Sequence, residues 1–142
     1  MKRLFRTAFG YAIAAMAGGV FYREFTKFNG FSGRTTLGFV HTHLFLLGII
    51  FFLVLLLLDR QFLVSEQRSF GKFFAVYNAG VVITTAAFLW RGITQVLAIA
   101  LSGGMDAAIS GVAGIGHILI GVGIVWYFLL LKQRIAAGEQ AK

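Results

Sequence analysis

Thr36–Leu58, TLGFVHTHLFLLGIIFFLVLLLL, decides the fold of this chain. Twenty-three residues pass without an Asp, Glu, Lys or Arg. At about 1.5 Å of rise per residue a helix of that length spans about 34 Å, enough for a hydrocarbon core of about 30 Å. No apolar–polar alternation runs through it, so a strand is excluded. Its only titratable groups are His41 and His43.

Three further stretches share this character. The spans read as about 4–25, 36–58, 72–101 and 107–131, in one domain covering residues 1–142. The fold class is all-α integral membrane, four transmembrane helices in an antiparallel bundle. Composition agrees: 58% of the residues are hydrophobic, mean hydropathy is +0.84, and charged residues make up 13%. A soluble domain carries about 25% charged residues. The chain has no proline, which suits uninterrupted helices. It has no cysteine, which excludes disulfides, thiolate metal sites and cysteine nucleophiles. Lys2, Arg3 and Arg6 before an apolar run resemble a signal peptide. The run continues past Ala15-Met16-Ala17 to Val20 and Phe21, so a retained span is expected. The tail from Ala136 is expected to fray and to add nothing to the fold.

The net charge of +8 comes from basic residues at the ends of apolar segments, where they anchor helices to anionic headgroups. No basic face interleaved with stacking aromatics is present, which excludes nucleic acid as a partner. Lys2, Arg3, Arg6, Arg60, Arg68, Lys72, Lys132, Arg134 and Lys142 fall on one side of a four-span topology. Only Arg23, Lys27 and Arg34 fall on the other. Both termini are therefore expected in the cytoplasm, in a bacterial inner membrane.

Ionisable groups inside a bilayer are costly and point to function. His41 and His43 lie in the second span, Arg91 and Gln95 in the third, and His117 in the fourth. With a third span ending at Leu101, Arg91 sits roughly 13–15 Å below its outer end. All five residues then share the outer half of the membrane. His41 and His43 point about 200° apart around one helix, so they face different partners. His117 shares its face with Ser110, Ala113, Gly114, Ile120 and Gly121. That face leaves room for a neighbouring helix or a flat cofactor. Arg91 shares a stripe with Tyr77, Thr84, Phe88, Gln95 and Ala98, which reads as protein-facing. Asp106 reads as the cap of the fourth helix. Glu24 is free to pair with Arg91 or to sit among headgroups.

Two neutral imidazoles with a nearby cation suit haem b, whose axial positions take histidine and whose propionates take arginine. His41, His43, His117, Arg91 and Gln95 are the candidate cofactor residues, and electron transfer, haem handling or gas sensing is the expected role. Copper or zinc held by His41, His43 and His117 is the alternative. It needs three or four convergent ligands and so needs oligomerisation. A proton or ion path is a third use of the same histidines. A structural accessory subunit, its histidines bonded only to neighbouring helices, is a fourth. No serine–histidine–acid or paired-carboxylate constellation lies within the spans, which argues against an enzyme.

Val40–Gly48, VHTHLFLLG, Phe21–Phe31, FYREFTKFNGF, and Ile109–His117, ISGVAGIGH, together resemble a family of small bacterial four-span membrane proteins of unknown function. His-x-His before Leu-Leu-Gly is similar to one helix of the haem-copper oxidase catalytic subunit. That resemblance implies that His41 faces one haem site and that His43, with His117, holds another. The oxidase copper-site histidines and tyrosine pattern are absent here. The oxidase subunit arranges twelve helices as three four-helix arcs. By analogy this chain is expected to form a homo-oligomer, a trimer first of all, and to meet a redox partner.

Overall fold

The computed structural model describes residues 1–140 of the chain. Four helices are long and apolar enough to cross a membrane: α1, Lys2–Phe28; α2, Leu37–Phe62; α3, Phe70–Val96; and α4, Gly103–Gly138. The last continues as backbone helix to Gln140. No strand occurs among the described residues. This is the build of a multi-pass membrane protein.

The helix ends differ from the expected spans for identifiable reasons. α1 runs three residues past Phe25, and Gly30, at φ +60°, closes it. Its N–H donates to Lys27 O, and the Phe31 N–H donates to Thr26 O. Such a reversal needs a left-handed residue, the conformation glycine adopts without steric cost. α3 stops at Val96, short of Leu101, through the same pair of bonds: Ala98 N–H to Gln95 O and Ile99 N–H to Thr94 O. Ala98 takes φ +53° there. Alanine carries no sequence signal for that turn, so hydropathy alone ran the span too far. Arg91 therefore lies five residues, about 7–8 Å, from the end of its helix, shallower than expected. α4 starts before Ala107, where the Ser102 hydroxyl accepts the Met105 N–H at 3.3 Å. It passes Leu131 and Ala136 as a continuous helix, so the expected fraying does not begin at Ala136. Lys142 lies outside the described residues.

The helices form an arc. α2 packs against α1, α3 and α4, and α3 lies along α4, but α1 and α4 do not pack together. The α3–α4 seam is backbone-close. A Cβ at Gly80 would lie 2.7 Å from Ile120 N, and one at Gly123 would lie 2.9 Å from the Tyr77 side chain. Between apolar helices in lipid such small residues replace hydrophobic drive with close packing. The core lies toward the terminal end, where Phe51, Phe52, Phe73, Tyr77 and Tyr127 interlock. Asp59 is buried at the same end, accepting the Ser65 N–H at 2.7 Å and the Ser65 hydroxyl at 2.8 Å.

One stretch of α2 departs from α geometry. Leu44–Ile50 is a π-helix, directly after His43. The Tyr77 hydroxyl donates to Leu47 O at 2.9 Å, and Gly48 lets the Tyr11 ring against the backbone. Widened turns of this kind recur beside functional groups.

Candidate functional site

Three helices bring two imidazoles together. His43 on α2 and His117 on α4 stand with ring centroids 6.1 Å apart and planes at 89°. Phe88 on α3 closes one side, 4.9 Å from the His43 ring and 5.8 Å from the His117 ring. Phe39, one turn before His43, packs on Phe88.

Each of the two rings is oriented by its own helix. His43 Nδ1 lies 2.9 Å from Phe39 O, and His117 Nδ1 lies 2.8 Å from Ala113 O. A carbonyl only accepts, so both Nδ1 atoms carry the proton and both Nε2 atoms keep a free lone pair. That is the tautomer a metal or haem iron uses, with the backbone bond acting as the outer orienting contact. Beside His117, Cβ atoms built on Gly114 and Gly121 would meet nothing within 4 Å. His117 itself is exposed on the outside of α4. The pair therefore opens toward the outside of α4, with Phe88 behind it. Sequence reading placed Phe88 on the right stripe without a role. Aromatic residues are so frequent here that nothing in the sequence marks this one.

His41 points away from this pair. Its ring stacks on Tyr22 of α1, with centroids 6.1 Å apart and planes at 16°. Gly18 and Gly19 make room for it. Its Nδ1 is buried and has no partner.

The two remaining candidates are tied into the scaffold. Arg91 Nη2 donates to Asp106 Oδ1 and Asp106 O, both at 2.8 Å, and to Ser110 Oγ at 2.9 Å. Its Nε is buried without a partner. Asp106 thus receives an arginine rather than capping α4, because Ser102 takes the capping place. Glu24 pairs with Arg23 at 2.7 Å and not with Arg91. Gln95 Oε1 accepts the Thr36 N–H at 2.8 Å, and so pins the start of α2 to α3. Tyr77 and Thr84, on the Arg91 stripe, are fully buried.

His43, His117 and Arg91 therefore lie on the α2–α3–α4 side, and His41 lies on the α1 side. No group of three or more His, Cys, Asp or Glu that can hold a metal ion occurs among the described residues.

Residues 1–134 match the model of a family described as a protein of unknown function (DUF2871). No curated protein and no solved structure matches the chain.

Proposed function

The chain belongs to the DUF2871 family, whose activity is unknown, and from its own geometry we propose that it binds haem b between His43 and His117. The carrying observation is the facing pair of imidazoles, each with Nδ1 bonded to its own helix. The rings stand 6.1 Å apart, within reach of one iron, and Phe88, 4.9 Å from the His43 ring and 5.8 Å from the His117 ring, would have to turn aside for a macrocycle to enter between them. The chain has no cysteine, so attachment through thioethers is excluded and a haem would be held without a covalent link, as the b type is.

The surroundings support the same reading. Gly114 and Gly121 leave open space on the His117 face for a flat ring. Ser110, seven residues before His117 on that face, holds Arg91, which would bring a guanidinium to that end of the site. Gln95 and His41 have no part in this site. When bound, the group supplies one-electron transfer. Haem handling and gas sensing are the other uses open to the same pair of histidines. The excess of basic residues at the terminal end favours a bacterial inner-membrane protein with cytoplasmic termini, which puts the histidine pair nearer the outer surface.

The test is an ultraviolet–visible spectrum of detergent-purified protein, expressed with haem supply, air-oxidised and then dithionite-reduced. A Soret band with sharp reduced α and β bands is expected. His117→Ala and His43→Ala should each lose the low-spin spectrum. A featureless visible spectrum ends the haem reading. Metal analysis of the same sample then separates copper or zinc, held with ligands from a second copy, from a structural role.

A further inference from the structure

His41 is the one histidine outside the pair, and it borders a separate crevice. The crevice has a volume of ≈ 710 Å³ and is lined by Tyr22, Arg34, His41, Thr42 and Gln95, among others. It lies where the 29–36 connection meets the first turns of α2. His41 is four residues into that helix, about 6 Å below its start. The crevice therefore sits at the boundary between apolar span and water; His43 does not line it, although Phe39, which packs on His43 and Phe88, does.

Most wall groups are already committed, which defines what is left over. The Thr35 hydroxyl donates to Gly92 O, the Thr36 hydroxyl to Phe88 O, and the Thr42 hydroxyl to Phe39 O. Gln95 Oε1 is taken by the Thr36 N–H, which leaves the NH₂ end of that amide free. Arg34 has no carboxylate partner among the described residues. His41 Nδ1 is buried and unpartnered. No acid lines the crevice. What remains is a guanidinium, an amide NH₂, an imidazole and the Tyr22 phenol. That is a donor-rich, cationic wall without a counter-charge. Such a set recognises an oxyanion, and arginine binds phosphate oxygens in pairs.

We propose that the crevice formed by Tyr22, Arg34, His41 and Gln95 is an oxyanion site that takes a phosphate group. Two sources share this chemistry: the headgroup of an anionic lipid at this depth, or free phosphate from the aqueous side. The site is independent of haem binding, and either can fail without the other.

The chain's three histidines make a direct test possible. Protein labelled with ¹⁵N-histidine is purified in a phosphate-free maltoside detergent, and the imidazole signals are followed during titration. One arm adds inorganic phosphate, and the other adds phosphatidylglycerol dissolved in the same detergent. A saturable shift of the His41 signals, with His43 and His117 unmoved, is expected in at least one arm. A response to phosphatidylglycerol alone assigns the site to a lipid headgroup. A response to inorganic phosphate assigns it to a soluble anion. Arg34→Gln removes one exposed charge and should weaken the response about tenfold or more. Its unshifted His43 and His117 signals would show that the fold is intact. The proposal is overturned if neither addition moves His41, if all three histidines move together, or if folded R34Q responds like the parent.

Discussion

Two of the seams that α3 makes with its neighbours are built in opposite ways. Along α4 it meets backbone with backbone, at Gly80, Gly116 and Gly123. Toward α1 it is reached only by long side chains. The Tyr11 hydroxyl donates to Asn78 Oδ1 at 2.7 Å, and the Arg3 guanidinium stands 3.7 Å above the Phe74 ring. Above these struts an apolar groove of ≈ 510 Å³ stays open, lined by Ala14, Ala17, Val82 and Ala86 among others. The contrast bears on the histidine pair. His117 and Phe88 sit on the two helices that cannot slide, so their spacing is held tightly. His41 sits on α2 against α1, which packs closely on α2 but reaches α3 only through these struts.

The comparison can be broken most forcefully at Gly116. A Cβ there would meet the Thr84 hydroxyl, and would lie 2.8 Å from Thr84 N and 3.1 Å from Gly80 O. Backbone cannot move aside as a side chain can. Gly116→Val should therefore cost about 3 kcal/mol or more and lower the thermal midpoint in detergent sharply. An unchanged midpoint would mean that the seam is not packed as described.

A smaller effect is expected at the π-helix. Tyr77→Phe removes the bond to Leu47 O while keeping the buried ring, and should cost about 1 kcal/mol in a denaturation series. Tyr11→Phe, on the looser seam, should cost about 0.6 kcal/mol, the average for bonds between membrane helices. If Tyr11→Phe proved more damaging than Gly116→Val, the side-chain seam would be the stronger one and the contrast would reverse.

The smallest stability change is expected on the open face of α4. A Cβ at Gly114 meets nothing within 4 Å, so Gly114→Leu should leave haem-free protein within about 0.5 kcal/mol of the parent. The same variant should retain much less haem, measured by Soret absorbance per protein, because its side chain would occupy the face beside His117. Full haem retention would place the ring elsewhere.

Much of this arrangement was legible beforehand. Uncharged runs of about twenty residues identify spanning helices whatever their partners. The 100° step of a helix was enough to send His41 and His43 to different sides of α2. The ends were less legible: Ala98 turns α3 as a glycine would, and Ser102 rather than Asp106 caps α4. Depth, helix face and charge mark Arg91 and Gln95 as cofactor candidates, whereas Gln95 is spent on pinning α2 to α3 and Arg91 is tied to Asp106. Their bonds to Asp106 and Thr36 cross between helices that no single-helix periodicity can relate.

By itself, then, the sequence determined that there are four apolar helices, that they reverse direction at short connections, and that three histidines lie within them. Those are properties of local hydropathy and of the helical repeat, and each is complete within one segment. Which helices touch is a property of matched surfaces. Only the tertiary structure decided that α4 presses its glycines on α3, that His117 thereby faces His43 across 6.1 Å with Phe88 behind them, and that His41 is left on the far side of α2 with an unpartnered nitrogen. In lipid, apolar side chains gain nothing by choosing one apolar neighbour over another. The choice falls to close packing and to a few hydrogen bonds, whose partners lie far apart in the chain.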